Sequence, residues 1–94
     1  DTTPPIAGHM QINGKSVETA SSQVSLNFNA RKEPAFMMVA NNPKFEGAIW
    51  QEYSTKMDWI LSDGSGYKRV YAKFKDNVGN VSRPIFAEIT LNSY

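Results

Sequence analysis

Apolar and polar residues alternate with a period of two along most of the chain. Val24, Leu26, Phe28 and Ala30 interleave with Ser25, Asn27 and Asn29, and that period belongs to strands that bury one face. The same phase sets Val70, Ala72 and Phe74 against Arg69, Tyr71, Lys73 and Lys75, and it places Ile85, Ala87, Ile89 and Leu91 together on a last strand. Shorter segments follow the rule at Met10 and Ile12, from Ala35 to Ala40, from Ile49 to Tyr53, and at Trp59 and Leu61 on either side of Ile60. No segment shows helical spacing. The shared phase predicts an inward set of Leu26, Phe28, Trp59, Leu61, Val70, Ala72, Phe74 and Ile89.

Turn chemistry separates these runs. Asn13-Gly14 accepts positive φ at little cost, Asn41-Asn42-Pro43 ends a strand, and Asp63-Gly64-Ser65-Gly66 is a turn cluster. Asp76 suits the first position of a type I turn whose middle is Asn77 and Val78, with Gly79 left-handed after it and Asn80 completing a bulged hairpin. About seven short strands at such intervals predict an all-β, antiparallel sandwich, with a barrel as the alternative. A parallel sheet is excluded because parallel pairs require long crossover connections, usually helical, and the loops here are too short.

Ninety-four residues suit one domain, which at this size buries roughly 60 to 70% of its unfolded surface and can dispense with staples. The chain has no cysteine, which removes thiol nucleophiles and cysteine-ligated metals. A formal charge of +1 provides no strong field for nucleic acid or anionic lipid, and Lys68, Arg69, Lys73 and Lys75 read as the solvated side of one strand. No apolar run approaches the roughly 18 residues of a membrane span. Residues 1–7, opening Asp1-Thr2-Thr3-Pro4-Pro5, read as an extended linker, and residues 8–94 as the folded domain. The start at Asp1 reads as a processed product or a segment of a larger protein.

Nothing in the sequence points to catalysis or a cofactor. His9 is the single histidine and has no second ligand near it in sequence. Gly64-Ser65-Gly66 lacks the spacing and following helix of a nucleophile elbow, and no phosphate-binding loop is present. Asp76, Asn80 and Asp63 supply oxygen atoms, but calcium takes about 6 to 8 of them, so a structural turn is the simpler reading for Asp76, Gly79 and Asn80. Trp50 and Tyr53 are the candidates for stacking on a sugar ring. Their separation of three places them on opposite faces of a strand, which argues against a continuous platform.

The order Met37-Met38-Val39-Ala40-Asn41-Asn42, Trp50-Gln51-Glu52-Tyr53, Trp59-Ile60-Leu61, then Val70 through Ser82 with Phe74-Lys75-Asp76-Asn77-Val78-Gly79-Asn80, resembles the immunoglobulin-like, fibronectin type III-like repeat modules of bacterial and archaeal extracellular proteins. Arg31-Lys32-Glu33-Pro34 departs from the more neutral turn of such modules. The resemblance implies a two-sheet sandwich, placement at the cell surface or beyond, and a non-catalytic role as spacer or docking unit. It implies neighbouring domains or other surface proteins as partners; the aromatic content adds polysaccharide as a further candidate, while the charge balance and the lack of a spanning run argue against nucleic acid and membrane insertion. A carbohydrate-binding module attached to a secreted hydrolase and an edge-assembling subunit of a surface appendage are the alternatives.

Overall fold

A computed structural model describes residues 6–14, 17–31, 34–62 and 64–92. Among these the secondary structure is all β: β1 Ile6–Ile12, β2 Glu18–Thr19, β3 Gln23–Arg31, β4 Phe36–Ala40, β5 Gln51–Glu52, β6 Lys56–Ile60, β7 Gly66–Lys75 and β8 Ile85–Leu91. They form two sheets, one ordered β1-β3-β6 and the other β2-β8-β7-β4-β5. The β1 strand begins at Ile6, inside the segment expected to be linker; Asp1 to Pro5 lie outside the described residues.

Between the sheets lies the core that the alternation anticipates. Phe74, Ile12, Leu26, Met37, Ile89 and Val70 are its largest fully buried side chains. Phe74 is central, with its ring edge-on to Phe28 at 6.2 Å from the three-stranded sheet and to Tyr53 at 5.9 Å. Trp59 differs from the expectation: it is half-buried at the rim, packed against the core. Its indole N–H donates to Asn41 Oδ1 at 2.8 Å, and a buried indole requires such a partner. Asn41 also donates through Nδ2 to the Ile60 carbonyl at 3.1 Å, so one amide at the end of β4 joins the two sheets.

Two departures from the expected topology have physical causes. There are eight described strands, and β2 pairs with β8 in parallel, Glu18 with Thr90 and Thr19 with Leu91. The crossover rule holds for strands that follow each other in sequence, whereas β2 and β8 are the first and last strands of this sheet, with the rest of the fold between them. The turn at Asn13 (φ 50°) and Gly14 (φ 64°) lets the chain leave the first sheet after β1 and join the second at β2. The expected strand from Ile49 to Tyr53 shortens to Gln51–Glu52, leaving Ile49 exposed.

The register sets the poles of the sandwich. Ile6 pairs with Arg31, and Phe36 with Lys75, at one end. Leu91 pairs with Gly66 and Thr19 at the other. The first and last strands thus enter and leave at opposite ends of a body measuring 49 × 24 × 17 Å.

Candidate ligand-binding face

The outward side of β7 carries Tyr67, Arg69, Tyr71, Lys73 and Lys75, because the inward phase is taken by Val70, Ala72 and Phe74. Lys68 belongs to the inward phase near the end of the strand, so three of the four basic residues grouped in the sequence share this face. Flanking elements add rings: Phe86 from β8, Phe36 from β4, Trp50 just before β5, and Phe45 from the loop after β4. Phe45 is held at positive φ (55°) by a local network in which Asn42 Oδ1 accepts from the Lys44 and Glu46 amides, while the Phe45 N–H donates to the Asn42 carbonyl.

Cations and rings alternate along this face. The Arg69 guanidinium stands 4.7 Å from the Phe86 centroid and 5.6 Å from that of Tyr67. Tyr71 packs between Phe86 at 5.9 Å and Phe45 at 6.5 Å. Lys73 Nζ lies 4.6 Å from Phe45 and 5.7 Å from Trp50, and Lys75 Nζ lies 4.5 Å from Trp50 and 5.3 Å from Phe36. Each such pairing is worth about 0.5–1 kcal/mol at an exposed site, enough to bias where the heads of these flexible side chains rest. Glu88 sits across from Arg69 on β8, and Glu52 across from Phe36 on β5. Even so, the contacts of the three cations among the described residues are with rings and with the Tyr67 hydroxyl, to which Arg69 Nε donates at 3.4 Å.

Trp50 and Tyr53 are placed on opposite sides of the sheet. Trp50 contributes to the outer row, whereas Tyr53 packs against the core beside Phe74. The sequence reading treated the aromatics and the basic residues as separate features. Their joint signal was the alternation Tyr67-Arg69-Tyr71-Lys73-Lys75, but pairing with β4 and β8 was needed to bring Phe36 and Phe86 beside it.

At the hairpin after β7 the Asp76 carbonyl accepts from the Gly79 N–H at 3.3 Å, and the Asp76 N–H donates to the Asn80 carbonyl at 3.0 Å. Gly79 has φ 99°. Asp76 Oδ1 accepts from the Val78 and Asn80 amides at 3.0 and 2.9 Å, and Oδ2 from the Asn80 side chain at 3.0 Å. Desolvation raises the pKa of this carboxyl, but the donors of Asn80, Val78 and Gly79 together outweigh it and hold Asp76 below the usual carboxylate range. Both its oxygens are thus engaged within the turn. Asp63 lies outside the described residues, and no group of three potential metal ligands occurs among the described ones. His9 is exposed on β1, where a shallow groove is lined by His9, Met10, Gln11, Asn27, Phe28 and Asn29.

Ser82 was missed by the sequence reading. It is buried, its amide donates to the Phe74 carbonyl at 2.8 Å, and its Oγ accepts from the Phe74 amide at 3.0 Å. A short serine side chain thereby completes pairing at the end of β7, where the chain has not yet entered β8. No protein-family model matches the sequence, and no curated protein is significantly similar to it.

Proposed function

We propose that the chain is a non-catalytic, immunoglobulin-like and fibronectin type III-like module of a secreted or surface protein, acting as a spacer between neighbouring domains and presenting one sheet face to a partner. The observation that carries this reading is the placement of Ile6 and Leu91 at opposite poles of an elongated sandwich. A unit entered at one end and left at the other adds its length to whatever it joins. The strand order supports the fold assignment: β3 and β6 take the places of strands B and E on one sheet, and β4, β7 and β8 those of C, F and G on the other.

Two copies fused head to tail test the reading by small-angle X-ray scattering. A particle about twice the 49 Å length of one unit is expected. A fusion that folds back into a body no longer than one unit, or a single domain that turns over a hydrolase substrate, overturns the spacer role.

A further inference from the structure

We propose that the outer face of the β2-β8-β7-β4-β5 sheet binds a linear acidic polysaccharide whose repeat unit carries both a carboxylate and an apolar C–H face. This rests on reading the chain as an interaction module and specifies what it would hold. Along a strand, alternate residues stand about 7 Å apart and residues four apart about 13 Å, so Lys75, Lys73 and Arg69 form a row of charges down β7. Tyr71 fills the gap between Lys73 and Arg69, packed between Phe45 and Phe86, while Trp50 and Phe36 flank Lys75. A uronic acid chain offers the same alternation in complement, with carboxylates for the ammonium and guanidinium groups and ring C–H faces for the aromatics.

Several polyanions meet the charge on this face. Single-stranded nucleic acid would stack its bases on the same rings, so oligothymidylate is the competitor whose equal or tighter binding decides against the sugar. A peptide of acidic residues alone, such as polyglutamate, supplies the charges but has no apolar plane for the gaps between them. Arg69, Lys73 and Lys75 are held over rings rather than paired with Glu88 or Glu52, which leaves their charge for an anionic ligand. Those two carboxylates border the row on β8 and on the edge strand β5, disfavouring an anionic chain that strays from the line of β7.

The test is binding of the isolated domain to polygalacturonate, measured by affinity electrophoresis and calorimetry against dextran, oligothymidylate and polyglutamate. Binding to polygalacturonate that weakens with salt, exceeds that to the other three, and falls at least tenfold in both Lys73→Gln/Lys75→Gln and Trp50→Ala is expected. Absence of binding to polygalacturonate, equal binding by the variants, or equal or tighter binding of oligothymidylate or polyglutamate overturns the proposal. If a variant loses its fold, proton–nitrogen correlation spectra of the unaltered domain decide. Shifts at β7 and the Trp50 indole on adding oligogalacturonate support the site, and shifts confined to the groove over β1 and β3 overturn it. The length of the head-to-tail fusion does not depend on any sugar, so failure here leaves the spacer reading to be judged separately.

Discussion

Asp76 shows how a residue that looks like a ligand serves the backbone instead. Its carboxylate is the acceptor for amides that the reversal of the chain would otherwise leave unpaired, which is why its pKa lies below the ordinary value. A carboxyl with a depressed folded-state pKa contributes stability above its unfolded pKa and loses it as the pH falls through the folded one. Acid titration of the melting temperature is therefore expected to show a loss below the usual carboxylate range that is diminished in Asp76→Asn. Identical acid profiles for the two proteins would show that the turn does not depend on this charge. Asp76 and Gly79 were legible in the sequence because turn chemistry is local. Ser82 was not, since a serine is marked as a backbone partner only once folding has brought Phe74 beside it.

The β7–β8 connection combines these residues in one element. Gly79, at φ 99°, has no neighbouring atom within 4 Å of where a side-chain carbon would stand, so its requirement is conformational and not steric crowding. Replacing it with Val is expected to lower the melting temperature more than replacing it with Asn, which visits the left-handed region more readily. Equal effects would show that the turn adapts to either residue. The long strands β3, β7 and β8 were legible because each buries one face, which imposes the period of two. The β2 strand was not, because two residues are too few to establish a period and its partner lies at the far end of the sequence. Phe45 was hidden for a related reason: it is a buried aromatic in a loop, and only the network around Asn42 turns it back over Tyr71.

In the whole molecule, both sheets depend on Phe74, which meets Phe28 on one side and Tyr53 on the other. Phe74→Ala is expected to cost about 3 to 5 kcal/mol in denaturant unfolding, and a variant that unfolds at the parent's midpoint would disprove its central place. The inward set could be read from phase alone, whereas the outer row of rings and cations needed the order of strands that only tertiary pairing supplies. The parallel pairing of β2 with β8 has one more consequence. Tension applied through the two ends would pull β2 toward one pole and β8 toward the other, along their common axis. The bonds from the Thr90 and Asn92 amides to the Val17 and Thr19 carbonyls would then be strained together in shear, whereas peeling would break them one at a time. A contact of two residues, too short to matter much at equilibrium, therefore adds shear resistance behind the β1–β3 pairing, which tension entering at Ile6 meets first.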